Sequence, residues 1–584
     1  MKASDYIVKY LEKIGVKCIF GYTGGAITHI FDSIYKNKTN FVTCYHEQAA
    51  SFEASAAAKL TGELQVAVAT SGPGATNLIT GIADSFFDST PVLFITGQVN
   101  TYDFKYNLKT RQRGFQETDI VSIVKPITKY CALVDKPELL VSELKKAVKI
   151  ATSGRKGPVL LDIPMDIQRA EIKNPDFGYE TPKVVSNVSQ GKITEVISKL
   201  KNSKLPLILA GGGCSAAQVK NKLIAFAERL DVPVAVSLMG KDSFPNNHPL
   251  FAGFIGSYGN RYGNLLLAAC DTLLVLGSRL DSRQTGNMLE PFSNKNIIWV
   301  DLDEDEMESS RVKNTVKIQS DVSIFLEKMN NSLSDGKISV KREKLVGLLG
   351  FLKKKYGPLT ELKRENKKDW HYQMLKKVSD KLDRDDVVCV DVGQNQMLAA
   401  QVIEIRNNQR FINSGGMAPM GFALPAAIGI NRVAGKRCVV ICGDGGFQMN
   451  VQELNTVSRC NIPVIIIVLN NNSLGMIKQF QDLYFESRYA ATDPDSGYFA
   501  SDSRKIAEAY GIKSYSLNEK SRDIDETLNK VFSEHGKPVL LEINIDYTTY
   551  LAPKLRFDRP INRLSPDLDA KEEKEISGML EKIS

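Results

Sequence analysis

Asp444 and Asn471 are the two side chains whose type and placement point most directly to chemistry. Asp444 lies in Gly443-Asp444-Gly445-Gly446, directly after the apolar run Val439-Val440-Ile441. Asn471 follows the run Val464 to Leu469, 27 positions further on. Two strand ends thus present a carboxylate and a carboxamide, and the glycines Gly443, Gly445 and Gly446 let backbone come close to a ligand. Hard oxygen donors so arranged suit Mg²⁺, which keeps near-octahedral geometry and shares its shell with substrate phosphates. A glycine turn followed by an asparagine cap is the competing explanation, because Gly-Asp-Gly is weak by itself.

Glu47 is the second focus. It follows His46 at the end of the run Phe41 to Tyr45 and opens an alanine-rich segment, Ala49 to Ala58. Desolvation there is expected to push the carboxyl toward neutrality and fit it to hold a proton against a ring nitrogen. A helix N-terminal glutamate favoured by the helix dipole is the alternative. Further glycine-rich turns follow apolar runs in the middle of the chain, at Gly211-Gly212-Gly213 and at Gly277 to Gly286, the latter carrying Arg279 and Arg283. The triplet lacks the spacing of a dinucleotide fingerprint and is weak alone.

Short buried strands alternating with helical segments must position these residues. Such strands recur from Cys18 to Asp162, from Leu205 to Val300 and from Val387 to Ile543, a rhythm expected of parallel sheets covered on both faces. The expectation is an α/β chain of three doubly wound domains, at 1–180, 190–345 and 360–550, with a charged tail at 551–584. Polar stretches, Glu171 to Gln190 and Asp335 to Lys368, read as linkers. In such sheets ligands bind where strands end at loops.

The 584 residues exclude a single small module, and 43% hydrophobic with 24% charged residues excludes disorder as the main state. Lys+Arg 75 against Asp+Glu 67 leaves a net charge of +8. The excess is small and scattered, which argues against nucleic acid; the densest run, Lys353 to Lys355 with Lys363 to Lys368 nearby, suits a solvated helix or linker. The longest apolar run, Ile462 to Leu469, has eight residues, too short for a membrane span. The start carries Lys2, Asp5 and Lys9 and does not read as a secretory signal, so a cytoplasmic protein is expected. Nine scattered cysteines point to reduced, mostly buried thiols.

GDGGFQMN (443–450) followed by NNNSLGM (470–476) resembles the diphosphate motif of thiamine diphosphate enzymes, and more narrowly the catalytic subunits of acetolactate synthases. The resemblance covers nearly the whole chain, through GYTGGA (21–26), HEQAA (46–50), TSGPGATN (70–77), FQETDIV (115–121), GPVLLDIP (157–164), GSRLDSRQTGN (277–287), DVGQNQM (391–397) and MGFALPAAIG (420–429). It implies that Asp444, Asn471 and the main-chain carbonyl of Ser473 hold Mg²⁺, with Gly475 and Met476 in the same motif. It implies that Glu47 meets the pyrimidine N1′ of thiamine diphosphate and promotes loss of the thiazolium C2 proton, after which the cofactor is an electron sink for loss of CO₂ from a 2-oxo acid. Gly25, Thr70 and Asn77 fall in matching cofactor motifs, and Met420 matches the side chain beneath the bent cofactor. Gln394 and Gln396 resemble residues facing the diphosphate and thiazolium, although Gln396 equally suits a satisfied loop amide.

The loop with Gly212, Arg279 and Arg283 resembles an FAD-binding stretch, so structural FAD is expected. Arg279 also matches the arginine that reads the acceptor's carboxylate, and Phe115 and Gln116 match the substrate-facing loop. Three positions depart: Phe480 stands where tryptophan is usual, Met165 where lysine is usual, and Arg111 to Gly114 where Gly-Thr-Asp-Ala is usual. These departures raise a second acceptor, the keto group of a nucleotide-activated sugar, with Arg111 and Arg113 engaging its phosphates; surface or interface ion pairs are the other explanation for the arginines. The default reading is a carboligase that decarboxylates pyruvate and forms 2-acetolactate, with plain decarboxylation or flavin-linked oxidation on the same fold as rivals. A homodimer or homotetramer is implied, because the glutamate and the metal motif come from opposite chains in such enzymes. The resemblance leaves room for a regulatory subunit and implies neither nucleic acid nor membrane as partner.

Overall fold

Most strands of the three sheets are short β-branched or leucine-rich runs, and most lead through a turn into a helix. The computed structural model describes residues 1–181, 184, 186–333, 341–365, 369–406 and 408–583. They form three parallel six-stranded sheets flanked by helices, the doubly wound architecture expected. The first sheet has the order Phe41–Thr43, Ile19–Gly21, Gln65–Ala69, Val92–Gln98, Val159–Pro164, Tyr130–Leu133. The third has the order Arg410–Asn413, Val387–Val390, Cys438–Gly443, Val464–Asn470, Val539–Asn544, Lys513–Leu517. Counted along the chain within each sheet, both read 2-1-3-4-6-5.

The central sheet differs. From one edge its strands run Phe251–Phe254, Val234–Val236, Pro206–Ala210, Thr272–Leu276, Asn296–Asp301, Thr315–Gln319, the order 3-2-1-4-5-6 of a dinucleotide-binding sheet. In all three sheets connections leave in opposite directions between two adjacent strands, and a crevice opens at their carboxyl ends. Those crevices hold most of the residues singled out in the sequence.

The outer two domains share one core. The helix Glu47–Thr61 of the first domain packs on the helix Ala423–Ala434 of the third, and Phe52 meets Phe422 edge-on with centroids 5.6 Å apart. Alanine is the commonest residue in both helices, and Gly429 adds to the second, which lets their backbones approach closely. Beside the contact, partly buried Lys59 pairs with Asp84 at 3.2 Å and Asp88 at 2.8 Å.

Part of the stretch read as a linker is structured. Glu343–Lys355 is a helix that buries Leu345, Leu348, Leu349 and Leu352 against the central domain, a helical spacing masked by its lysines. Lys353 to Lys355 form its last turn, where cations suit the helix dipole. Residues 335–340 and 366–368 of that stretch, including Lys367 and Lys368, lie outside the described residues.

The tail folds onto the central domain. Lys554–Leu555 pairs antiparallel with Leu564–Ser565, and a helix follows at Ala570–Glu581. Buried Arg261 holds Glu361 at 2.7 Å and donates to the carbonyls of Leu564 and Pro566. All nine cysteines are free thiols, seven of them buried. Among the described residues no helix is long and apolar enough to cross a membrane.

Candidate active site

The crevice of the third sheet lies between Val387–Val390 and Cys438–Gly443. Asp444 opens the helix Asp444–Met449 at the end of the second of these strands and is 5% exposed. Its Oδ1 accepts the Gly445 N–H at 3.0 Å, whereas Oδ2 is buried without a hydrogen-bond partner. Burial pushes the carboxyl up to about 7. A buried, half-satisfied carboxylate oxygen is what a divalent cation would complete.

Asn471 is buried beside it in the motif. Its Oδ1 accepts the Ser473 N–H at 3.1 Å, and its Nδ2 donates to Gln394 Oε1 at 3.3 Å. Ser473 is fixed in turn by its hydroxyl on the Thr492 carbonyl at 2.7 Å. Gly475 closes this group: a Cβ there would stand 2.4 Å from Gln394 Oε1 and 2.6 Å from Asn471 Nδ2. The fold thus gathers Gln394, Asn471, Ser473 and Gly475, whose numbers span 82 positions. Met420 joins them, since its Cε would lie 3.1 Å from a Cβ on Gly445, next to the Tyr498 hydroxyl at 3.0 Å.

Two further members of the expected set are engaged within the protein. Gln396 donates to the Ser414 carbonyl at 2.8 Å, and Met476 packs half-buried on the hydrophobic core. One residue quoted in the sequence motifs was given no role there. Asp391 is buried and accepts the N–H groups of Val392, Gly421 and Ala423 at 2.8–3.0 Å, while a Cβ on Gly446 would come within 2.7 Å of it. It locks the Met420 turn to the helix Asp444–Met449; in the sequence it stands only as the carboxylate that opens DVGQNQM, just past a strand.

The crevice of the first sheet holds Glu47. His46 caps the helix Glu47–Thr61 in extended conformation, its Nδ1 accepting the Gln48 N–H at 3.1 Å. Glu47 is 8% exposed, and its Oε2 accepts Asn77 Nδ2 at 2.9 Å. A Cβ on Gly74 would lie 3.1 Å from Glu47 Oε1 and 2.8 Å from Thr70 Cγ2. Thr70 Oγ1 accepts the Ala26 N–H at 3.2 Å, and open space surrounds Gly25. The turns at 24–26 and 70–77 therefore pack around Glu47, with Asn77 on one of its carboxylate oxygens.

Phe115 is 86% exposed, and Gln116 holds the left-handed conformation, φ +62°, against Gly72. Strain of this kind persists only where neighbours impose it. Buried Glu117 does so: its carboxylate accepts the N–H groups of Lys105 at 2.9 Å, Arg113 at 2.7 Å and Gly114 at 3.2 Å. The loop it gathers displays Lys109, Arg111 and Arg113 in the exposed state, with no carboxylate partner for those three among the described residues. Met165, one of the departures, is half-buried at the start of the helix Met165–Arg169. Phe480 lies with Tyr484 and the tail's Phe557 in an aromatic group, Tyr484 and Phe557 stacked at 5.4 Å.

At the switch point of the central sheet, a cavity of about 300 Å³ opens between all three domains. Its walls include Gly212 and Arg279 of the central domain, Lys59 and Phe87 of the first, and Arg410 and Asn413 of the third. Glycine is required at Gly211, where a Cβ would strike the Gly277 carbonyl at 2.1 Å. Arg279 pairs with Glu306 at 3.3 Å, and no hydrogen bond or ion pair joins it to Glu47, Phe115 or Gln116 among the described residues. Arg283 is exposed, its carbonyl accepting the Ser257 N–H at 2.8 Å.

Three family models match the chain in succession. Residues 1–123 match the N-terminal TPP-binding domain of thiamine pyrophosphate enzymes, 193–329 the central domain, and 391–543 the C-terminal TPP-binding domain. A probable acetolactate synthase large subunit of Methanocaldococcus jannaschii is 36% identical over 561 residues, covering 94% of this chain and 92% of the relative. The acetolactate synthase large subunit of Haemophilus influenzae is 34% identical over 95% of this chain and 96% of its own length. The isozyme 2 large subunit of Escherichia coli K12 is 34% identical over 94% and 96%.

Proposed function

We propose, from the premise that this chain belongs to the acetolactate synthase large-subunit family of thiamine pyrophosphate enzymes, that it decarboxylates pyruvate and joins the two-carbon unit to a second 2-oxo acid. It is a thiamine diphosphate-dependent carboligase of that type. When bound, the cofactor supplies the electron sink for loss of CO₂ and carries the two-carbon unit to the acceptor.

The chain's own residues divide the remaining work. Asp444, Asn471 and the Ser473 carbonyl would hold Mg²⁺ against the diphosphate, and the orphaned Asp444 Oδ2 is the observation that carries this reading. Glu47, held at one oxygen by Asn77, keeps the other for a proton shared with the pyrimidine ring. Met420 supports the cofactor from the Gly445 side, and Gln394 orients Asn471. The interdomain cavity fits FAD in kind, because its central sheet has the dinucleotide strand order and its glycines admit a ligand where a Cβ would collide. Carboligation moves no net electrons, so the flavin's role there is structural.

The relatives are named large subunits, and we take this chain to assemble as a homodimer or homotetramer that accepts a regulatory subunit. Arg279 favours a carboxylate-bearing acceptor through a bidentate pair. A second acceptor, a nucleotide-activated keto sugar, is favoured by one observation: the exposed cations Lys109, Arg111 and Arg113 beside the Phe115–Gln116 turn.

The test is to incubate the protein with thiamine diphosphate, Mg²⁺, FAD and pyruvate, and to quantify CO₂ and acetolactate. Fast acetolactate formation supports the first acceptor; slow CO₂ release with little acetolactate rejects it and calls for keto sugars. Glu47→Gln should lower turnover by at least about 100-fold while leaving cofactor affinity largely intact. Unchanged turnover in that variant would refute the assignment of Glu47.

A further inference from the structure

Glu453 is completely buried, yet it belongs neither to the metal set nor to the glutamate pocket. It follows the metal-side helix Asp444–Met449 by four residues and stands in the third domain. Its backbone partners are in the first. Oε1 accepts the Tyr45 N–H at 2.7 Å, with the His46 N–H also directed at the carboxylate. Oε2 accepts the Thr456 hydroxyl at 2.8 Å. Tyr45 and His46 are the two residues immediately before Glu47.

The surrounding contacts converge on the same short segment. Thr456 Oγ1 lies 3.2 Å and Arg459 Nη2 3.1 Å from the Thr43 carbonyl. Asn450 Nδ2 reaches Gln48 Oε1 at 3.4 Å while donating to the Gly421 carbonyl at 2.9 Å. Residues 43–48 are therefore gripped mostly through backbone by residues 450–459. A carboxylate that takes up backbone N–H groups at a helix start fixes the direction in which that helix leaves the strand. Glu47 is the first residue of that helix, so its carboxylate moves with it.

We propose that Glu453 is a positioning residue for catalysis: through the Tyr45 and His46 N–H groups it aims Glu47 at the cofactor's pyrimidine ring. The inference rests on the role assigned to Glu47 above. A purely architectural carboxylate would hold the two domains together without affecting proton transfer, and the two roles separate by experiment. A misplacement of Glu47 by about 1 Å slows proton transfer by roughly 10- to 100-fold.

Glu453→Ala, Glu453→Gln, Thr456→Val and Glu47→Gln would be compared in the full-length protein. The readouts are hydrogen–deuterium exchange at the cofactor C2 at saturating thiamine diphosphate and Mg²⁺, cofactor Kd, and backbone amide exchange of residues 43–48 without cofactor. Glu453→Ala should slow C2 exchange by roughly 10- to 100-fold, leave cofactor Kd within a few-fold, and strip protection from the Tyr45 and His46 amides. Glu453→Gln, which keeps a carbonyl acceptor, should restore most of both. Should Glu453→Ala fail to fold, Thr456→Val decides: slower C2 exchange supports the proposal, and an unchanged rate overturns it. Normal C2 exchange in a folded Glu453→Ala also overturns it. If Glu47→Gln itself leaves C2 exchange unchanged, the assignment of Glu47 falls; if only Glu47→Gln slows it, the inference about Glu453 alone falls.

Discussion

Asp444 and Glu453 show how differently two buried carboxylates can be legible. Asp444 announces itself because a glycine turn after an apolar run leaves few reasons for a carboxylate. Glu453, Asp391 and Glu117 use their oxygens on backbone N–H groups of segments distant along the chain or around a loop, and no spacing marks such partners. Lys241 is a buried cation: it is 2% exposed with its ammonium 5.5 Å from the Phe251 ring, and burial pushes its pKa from 10.5 down to about 7. The folded pKa is the lower one, so between pH 7 and 10.5 the unfolded chain binds a proton that the folded chain does not. Stability therefore climbs with pH through that window and is lost as pH falls toward 7. Lys241→Met should raise stability by ~2 kcal/mol at pH 7 and by much less near pH 10, measured by calorimetry at both. An equal gain at the two values would mean that the lysine is not titrating in the fold.

At the scale of elements, the crossing of the helices Glu47–Thr61 and Ala423–Ala434 sets where Glu47 can stand. Gly429 sits at the point of closest approach, where a Cβ would meet the Glu53 carbonyl at 2.2 Å and the Glu53 Cα at 2.7 Å. Both obstacles are backbone, so neither can swing aside. Gly429→Ala should force the helices apart and destabilise the protein by ~1–3 kcal/mol, seen as a lower denaturant midpoint with an unchanged m-value. The strands and this alanine-rich helix were legible because burial on both faces leaves near-continuous apolar runs. The helix Glu343–Lys355 was not, because lysines at its exposed positions break up the apolar stripe that packs it down.

For the molecule as a whole, the tail and the domain contacts decide how the three crevices are shared. Arg261 and Glu361, 1% and 0% exposed in their side chains, form a buried pair that also holds the Leu564 and Pro566 carbonyls and so pins the tail to the central domain. Arg261→Met would strand the Glu361 carboxylate; a loss of ~3–5 kcal/mol is expected in urea unfolding, recovered in part by adding Glu361→Leu. Full stability in the single variant would show that the tail is held by its apolar contacts instead. By itself the sequence determined the three α/β domains, the family, and the motifs of Asp444, Asn471 and Glu47, because those signals are local: periodicity, glycine turns and residue type at a strand end. Only the tertiary structure decided that Gln394 stands with Asn471 while Gln396 faces Ser414, that Arg279 lines an interdomain cavity, that the tail lies on the central domain, and that Glu453 reaches across to Tyr45. Each of these depends on which distant backbone groups a side chain meets once helices cross and sheets stack, and that geometry is written in packing rather than in any local pattern.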